Sequence, residues 1–160
     1  MTLLEELKAM DEIRQLKARY FRFLDTKDWK NFATVFCREA IADYRTGATV
    51  DPDDGSPESA AAANFVVKGP DSIVSLIRES VGESLTMHHG HCHEVWVDSA
   101  DDEARGIVAM VDVIRNSRSG KLILEGYGHY HETYRREDDA WRIATLRLSR
   151  LHVTAHLDER

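Results

Sequence analysis

SLTMHHGHCHEVWVD, residues 84–98, holds four histidines and one cysteine within six consecutive positions, 88–93. Apolar and polar residues then alternate from Val95 to Val97, a pattern typical of a half-buried β-strand. Neighbouring side chains on a strand point to opposite faces. Unless a bulge intervenes, the stretch therefore divides into His88, Gly90, Cys92 and Glu94 on one face, and His89, His91 and His93 on the other. At most one of these sets can face a pocket.

The strand pattern continues through the C-terminal half of the chain. Runs with a period of two cover residues 86–98, 104–117, 121–136 and 141–154, and short turn-forming segments separate them. Connections this short join antiparallel neighbours. We therefore expect a four-stranded antiparallel meander.

The N-terminal half is mainly helical in pattern. Thr2 and Glu5 have the spacing of a capping box, and apolar residues recur every three or four positions as far as Leu24. This predicts a helix of about seven turns. A short strand follows at 40–44, and a second helix begins at 69–71 and ends near residue 82. Helices followed by a sheet indicate one α+β domain, residues 1–160, in which the helices cover one face of a curved antiparallel sheet.

Residues 45–67 are the least patterned part of the chain. They include Pro52, Pro57 and the run Ala60–Ala63. Long connections with little pattern are usually surface loops or active-site lids. We interpret this segment as a mobile lid.

The charge balance limits the classes of partner. The chain has 21 Lys and Arg against 28 Asp and Glu, a net charge of -7, which argues against nucleic acid as a ligand. The two cysteines, Cys37 and Cys92, and the absence of an apolar leader favour a cytoplasmic protein with free thiols. The apolar runs are too short to span a membrane, so we expect no membrane partner.

Asp25 lies at the end of the first predicted helix, on or beside its apolar stripe. The carboxylate could cap the next helix, but Asp28 is better placed for that role. The alternative is that Asp25 points into a pocket. Both alternatives stay open on the residues alone.

The histidines raise the question of a metal. His89, His91 and His93 could bind a cation if they share a face, but exposed histidines are the simpler interpretation, and we expect no metal. The sequence contains neither a phosphate-binding glycine loop nor a dinucleotide fingerprint, so we expect no cofactor. It also has no nucleophile elbow of the G-x-S-x-G type.

Three further polar residues fall on predicted strands. Tyr44 and Tyr130 each combine an apolar ring with a hydroxyl that needs a partner when buried. Arg147 shares a face with Ile143 in the last strand. If Ile143 faces the core, the guanidinium must end near a pocket or an acid, because it cannot lose its charge.

Four motifs, taken in order, resemble the SnoaL-like polyketide cyclase and scytalone dehydratase group of the nuclear-transport-factor-two-like superfamily. They are LDTKDW at 24–29, ADYR at 42–45, TMH at 86–88, and the segment from YRR at 134–136 to Trp141. The resemblance covers nearly the whole chain and is weakest over 45–67. It implies a cone-shaped α+β barrel whose curved sheet packs on N-terminal helices.

The resemblance also implies a set of functional residues. Lyases of this group pair an acid near the end of the first helix with a histidine at the start of the first long strand. These roles correspond to Asp25 and His88, with His89 as the alternative base because the doublet leaves the register open. Tyr44 matches the tyrosine with which scytalone dehydratase activates a water, and Tyr130 falls at a polar cavity position.

The chain departs from that pattern at three positions. Ile114 occupies the position of a second catalytic histidine, and Gly128 and Tyr130 replace a serine and an asparagine. These changes argue against scytalone itself as the substrate. We expect Ile114, Gly128 and His89 to contact whatever ligand is bound.

Together these features predict a cofactor-independent lyase acting on a small cyclic or polycyclic hydroxylated or keto compound. His88 would take a proton from carbon, Asp25 would orient its ring, Tyr44 or Tyr130 would protonate the leaving oxygen, and Arg147 would balance the enolate charge. An isomerase or a cyclase shares the first step and remains an alternative.

A non-catalytic module is the alternative from another class, since the small subunits of ring-hydroxylating dioxygenases look similar in fold. It predicts that Asp25 and His88 do not meet. In either class we expect a homodimer or homotrimer, because an open sheet needs its outer face covered. The residues expected there are His89, His91, His93, Val95 and Val97.

Overall fold

The computed structural model describes residues 1–45, 65–98 and 102–156. The helices in these ranges are α1 (Leu3–Asp25), α2 (Trp29–Ala33) and α3 (Pro70–Val81). The strands are β1 (Phe36–Asp43), β2 (Val66–Lys68), β3 (Ser84–Asp98), β4 (Glu103–Asn116), β5 (Leu122–Glu137) and β6 (Ala140–Ala155). Most of the predicted lid, residues 45–67, lies outside the described residues.

The described strands form one sheet in the order β2-β1-β6-β5-β4-β3. β3 to β6 make the predicted antiparallel meander. β1 pairs antiparallel with β2 but parallel with β6, so the sheet is mixed. Parallel neighbours need a long crossover, and here α3 and the meander itself separate the two strands in sequence. The α+β class is confirmed.

A bulge interrupts β3 within its histidine-rich stretch. His91 pairs with Ala109, and Glu94 pairs with Ile107, so β3 carries one residue more than β4 between these pairs. Cys92, inside the bulge, has a positive φ of 44°. An extra residue reverses the alternation of side chains beyond it.

The reversal divides the histidines differently from the simple alternation. We call the face of the sheet that packs against α1 the inner face, and the opposite one the outer face. His93, Val95 and Val97 lie on the inner face, and Val95 is buried. His89 and His91 are exposed on the outer face, where their rings stack 6.5 Å apart. The predicted grouping of all five residues on the outer face is therefore wrong.

Two bulges in β6 have the same effect. Thr145 pairs with Thr133 and Ile143 with Tyr134, which leaves Ala144 as an extra residue. A second shift leaves Leu151 extra. Between the two bulges, the even-numbered residues of β6 point inward.

α1 begins at the predicted capping box. The Thr2 hydroxyl accepts from the Glu5 amide, and the Glu5 carboxylate accepts from the Thr2 amide. The predicted apolar stripe is exposed in the first two turns and becomes buried from Ala9 onward. The buried residues of α1 are Ala9, Ile13, Leu16, Lys17, Tyr20, Phe21 and Leu24. Among the described helices, none has the length and apolarity that crossing a membrane requires.

A buried ion pair joins α1 to the inner face of β5. Lys17 Nζ lies 2.5 Å from Glu132 Oε1, and the two side chains are 2% and 0% exposed. The Tyr134 hydroxyl donates to the other Glu132 oxygen at 2.6 Å. Because that hydroxyl has only one hydrogen, Tyr134 must accept from His93 Nε2, 3.1 Å away. The ammonium also lies 3.5 Å from the centre of the Tyr130 ring, so the pair helps to fix the aromatic core.

His93 should make stability depend on pH in the acid range. Burial lowers the pKa of His93 to about 4, although the Glu132 carboxylate opposes the shift. In the unfolded chain a histidine titrates near about pH 6.5, so between these values the unfolded state binds a proton that the folded state does not. The stabilising contribution is therefore complete above that range and is lost as pH falls toward 4, at up to about 1.4 kcal/mol per pH unit.

Urea unfolding at pH 7 and at pH 5 tests this expectation. His93→Gln should reduce the difference in unfolding free energy between the two pH values. His152→Gln, which changes an exposed histidine, should leave that difference as in the wild type. An equal pH dependence in the wild type and in His93→Gln would contradict the buried, neutral histidine.

Candidate active site

Asp25 and His88 meet at the end of α1. The Nδ1 atom of His88 lies 2.6 Å from Asp25 Oδ1, and the His88 backbone N–H donates to Asp25 Oδ2 at 2.8 Å. The side chain of His88 is 7% exposed and that of Asp25 is 24% exposed. Asp28, not Asp25, caps α2, through its contact with the Asn31 amide. The carboxylate of Asp25 is therefore not used as a helix cap and is available to bind His88.

The surroundings of Asp25 keep it ionised. Burial tends to raise the pKa of Asp25, but hydrogen bonds from the His88 ring and backbone and from Thr86 outweigh burial, and the pKa lies below its ordinary value. The Thr86 hydroxyl donates to Oδ1 at 2.9 Å and accepts from Lys27 Nζ at 2.8 Å. An ionised carboxylate can only accept, so Nδ1 of His88 must carry the ring proton. The neutral ring therefore keeps a lone pair on Nε2.

Close packing fixes the plane of the imidazole. The Phe21 ring stacks on His88 with a centroid distance of 6.2 Å and an interplanar angle of 12°. Gly90 permits this approach, because a Cβ at that position would lie 2.5 Å from a Phe21 ring carbon and 3.0 Å from Val108. Glycine is thus required here by space.

A second acid faces His88 from the neighbouring strand. Asp112 pairs directly across from His88, and its Oδ2 lies 4.0 Å from His88 Nε2. The guanidinium of Arg150, on β6, donates a hydrogen bond to each carboxylate oxygen of Asp112, both at 2.7 Å. A Cβ at Gly126 would lie 2.3 Å from that guanidinium, so the glycine makes room for it.

The Asp112–Arg150 pair was missed by sequence reasoning. Both side chains are almost completely buried, at 5% and 2% exposure. The available signal was that Asp112 alternates in phase with the apolar residues of β4, a position at which a charge needs a partner. Its partner lies two strands further along the chain, beyond β5 and the Ala144 bulge of β6, so no local pattern indicates it.

The predicted tyrosines lie in the core beside this site. The hydroxyls of Tyr44 and Tyr20 are 3.0 Å apart, and the rings of Tyr20 and Tyr130 are packed edge to face at 5.8 Å. The Tyr130 ring also packs against Phe21 at 5.9 Å. Burial raises the pKa of all three tyrosines above its ordinary value. They therefore remain neutral phenols that can donate a hydrogen bond.

Two predicted site residues lie elsewhere. Arg147 is exposed on the outer face, beside Asp43 and His131 in the strand register, because Ala144 reverses the alternation after Ile143. The expectation that Arg147 shares the face of Ile143 is corrected, and Arg150 is the arginine that points inward. His89 is also on the outer face, so the histidine doublet places His88 at the site.

The two remaining predicted positions lie on the inner face of the sheet. Ile114 is half-buried and pairs with Thr86, one inward position along β4 from Asp112. Gly128 is buried where β5 meets the second bulge of β6, and a Cβ there would lie 1.9 Å from the Ser149 carbonyl oxygen. The bulge therefore leaves no room for a side chain at Gly128.

The sequence matches a known domain family over most of its length. The profile of the SnoaL-like domain matches residues 5–147. A protein of Gibberella zeae that carries the name "probable cyclase" is 26% identical over 141 residues, which make up 88% of this chain and 89% of that protein.

Solved structures share the fold at low identity. The hexachlorocyclohexane dehydrochlorinase of type 3 from Novosphingobium barchaimii has a TM-score of 0.73 and 18% identity, over 98% of this chain and 96% of that one. A Novosphingobium aromaticivorans protein, named provisionally as a scytalone dehydratase, has a TM-score of 0.72 and 20% identity, over 94% of this chain and 89% of that one. At such identities the likeness shows the fold alone.

Proposed function

The chain belongs to the SnoaL-like domain family, and from that premise we propose that it is a cofactor-independent lyase. The proposed substrate is a small cyclic or polycyclic compound that carries a hydroxyl group and a carbonyl group. The proposed reaction removes water, or a similar leaving group, after a proton is taken from carbon. One observation carries the proposal, namely that Asp25 holds Nδ1 of a buried histidine and leaves its Nε2 with a lone pair.

His88 is the proposed general base. Its Nε2 takes a proton from a carbon beside the carbonyl, which gives an imidazolium and an enolate. Asp25 stabilises the imidazolium through the Nδ1 contact and keeps the ring in one orientation. As the enolate collapses, the bond to the leaving hydroxyl breaks, and the proton on Nε2, passed directly or relayed through the Tyr130 phenol, converts the departing hydroxide to water. The base is then restored, and the net products are an unsaturated carbonyl compound and water.

Tyr130 is the proposed donor to the substrate oxygen. Its ring packs against Phe21, which itself stacks on His88, and its hydroxyl remains protonated. A neutral phenol in an apolar core can stabilise a developing negative charge on oxygen. Tyr44, whose hydroxyl is paired with that of Tyr20, is the second proposed donor. Ile114 and Gly128 are proposed to bound the space beside the ligand.

Cyclisation is the second candidate. The Gibberella zeae relative carries the name of a cyclase, and an aldol-type cyclisation begins with the same removal of a proton from carbon. A non-catalytic module predicts that Asp25 and His88 do not meet, whereas they lie 2.6 Å apart. That contact favours a catalytic protein over a binding module.

Exchange of the carbon-bound proton tests the proposal without knowledge of the final product. A panel of cyclic hydroxy-ketones is incubated in D2O with the wild type and with His88→Ala, and NMR follows deuterium entering beside the carbonyl. We expect at least one compound to exchange with the wild type and not with His88→Ala. The appearance of an alkene signal then marks elimination, and a new ring signal marks cyclisation. Equal exchange with both proteins, on a compound that binds, would refute the assignment of His88 as the general base.

We also propose that the outer face binds a second copy of this chain. β4 presents Ile107, Ala109, Val111 and Val113 on that face. The charged side chains of the outer face have both signs, unlike the acidic chain as a whole, so two copies need not repel there. They include Asp43, Glu94, Asp98, Glu103, Glu125 and Glu137, and also Arg105, Arg115, Arg135, Arg142 and Arg147. A dimer or trimer is expected in sedimentation at micromolar concentration, and a monomer would contradict the proposal.

A further inference from the structure

The Asp112–Arg150 pair has no part in the proposed proton transfer, yet it lies on the side of His88 from which that transfer must occur. Asp112 Oδ2 is 4.0 Å from Nε2, beyond hydrogen-bond distance. Its two oxygens are held by the two terminal nitrogens of Arg150, in the forked geometry that suits a carboxylate. Arg150 is in turn confined by Met110, whose sulfur lies 3.5 Å from Nη1, and by Gly126.

We propose that Arg150 is a positioning residue that holds Asp112 away from His88 and so keeps Nε2 available to the substrate. The inference rests on the proposed function, in which Nε2 is the proton acceptor. Arg150 acts on the histidine through Asp112. The two carboxylates then differ in their action on the His88 ring. Asp25 must bind the ring at Nδ1, whereas Asp112 must not bind it at Nε2.

An unrestrained Asp112 would disable the base. A carboxylate can move by about one ångström through rotation of its side chain, which would bring Oδ2 into hydrogen-bond distance of a protonated Nε2. His88 would then lie between two carboxylates, and an opposite charge at such a distance shifts a titration by about 1–3 pH units. The ring would stay protonated at neutral pH and could not accept a proton from carbon.

The other charged or titratable groups around His88 come from several elements. Asp25 ends α1, Lys27 follows it and contacts Thr86, and Tyr130 lies on β5. None of these three residues is altered by the substitutions at Asp112 and Arg150. A difference among the variants of this pair therefore reports the pair itself.

The test is an NMR titration of the His88 ring in protein labelled with 15N-histidine. Arg150→Gln should raise the titration midpoint of His88 by about 1–3 pH units, because it releases Asp112. Asp112→Asn should lower the midpoint, because it leaves the guanidinium without its carboxylate. The double variant Arg150→Gln/Asp112→Asn should return the midpoint close to the wild-type value. If the pair only stabilised the fold, the two single variants would not shift the midpoint in opposite directions, and the double variant would not restore it.

Arg150→Lys separates restraint from charge. Lysine keeps the positive charge but cannot grip both oxygens, so its midpoint should fall between those of the wild type and Arg150→Gln. A midpoint identical to the wild type would show that charge alone matters and would overturn the restraint. If Arg150→Gln does not fold, Asp112→Asn and the double variant still decide, since an unchanged midpoint in Asp112→Asn refutes the coupling.

The titration needs no turnover, so its failure is distinct from failure of the proposed function. Where a substrate exchanges its proton, the acidic limb of the rate profile should move with the NMR midpoint in each variant. A protein that shows the midpoint shifts but no exchange on any substrate would support the restraint and refute the lyase. Exchange that depends on His88, together with unchanged midpoints in the variants, would support the lyase and refute the restraint of Asp112 by Arg150.

Discussion

Replacing Asp25 with asparagine should lower the rate of carbon-proton exchange by about 10²- to 10⁴-fold. The carboxylate accepts three hydrogen bonds, from the ring and backbone of His88 and from Thr86, and an amide cannot reproduce this set. The amide nitrogen of asparagine can donate to Nδ1, which places the ring proton on Nε2. The lone pair of the ring would then lie on Nδ1, facing the asparagine, and Nε2 could no longer accept a proton from the substrate. The exchange assay in D2O measures the loss directly.

Asp28→Asn is the matched control for this substitution. Asp28 lies three residues later and caps α2 through the backbone and side chain of Asn31. Asparagine is an equally good N-cap residue, so stability should change little. The exchange rate should stay within about twofold of the wild type. A full rate in Asp25→Asn, or an equal loss in both variants, would contradict the assigned role of Asp25.

Replacing Lys17 with methionine should destabilise the protein by about 3–5 kcal/mol. Burial lowers the pKa of Lys17 to about 8 although Glu132 opposes the shift, so at neutral pH the ammonium is present and paired. Methionine fills a similar volume but leaves the carboxylate of Glu132 buried without its counter-ion. The cost comes from that orphaned charge rather than from the lost attraction. Urea unfolding at pH 7 provides the measurement.

Two further variants define the cause of this loss. Lys17→Met/Glu132→Gln removes both charges and keeps an acceptor for Tyr134, so it should recover most of the lost stability. Lys8→Met removes an exposed lysine that lies 3.7 Å from Glu12, and should cost less than about 1 kcal/mol. A double variant no more stable than Lys17→Met alone would show that packing, rather than charge, explains the loss.

The resemblance to the SnoaL-like group predicted the pairing of Asp25 with His88, and the contact agrees with it because each residue lies at a regular position near the end of an element. Asp25 follows the apolar stripe of α1, and His88 precedes the bulge of β3, so the alternation up to that point still holds. Lys17 was also within reach of sequence reasoning. It lies four residues after Ile13 and three before Tyr20, inside the buried stripe.

The role of Arg150 was not predictable in this way. Counting by twos along β6 from Ile143 selects Arg147, and only the extra residue Ala144 transfers the inward position to the even-numbered residues. Nothing in the residue types around Ala144 identifies it as a bulge. The same limit applies to Val95 and Val97, whose face depends on Cys92. A single inserted residue therefore decides which charged side chain reaches the base.

The parallel pairing of β1 with β6 affects how the chain is made. Ala42 pairs with Leu146, so β1 leaves the ribosome roughly 100 residues before its neighbour, an interval of about 5–20 s at usual rates of synthesis. Glu132, the partner of Lys17, is also made late. During that interval the nascent chain displays an unpaired strand edge and an unmatched lysine, which other chains or chaperones can contact. The sheet therefore cannot be completed until β6 has been synthesised. A protein truncated before β6 is expected to bind chaperones or to be degraded.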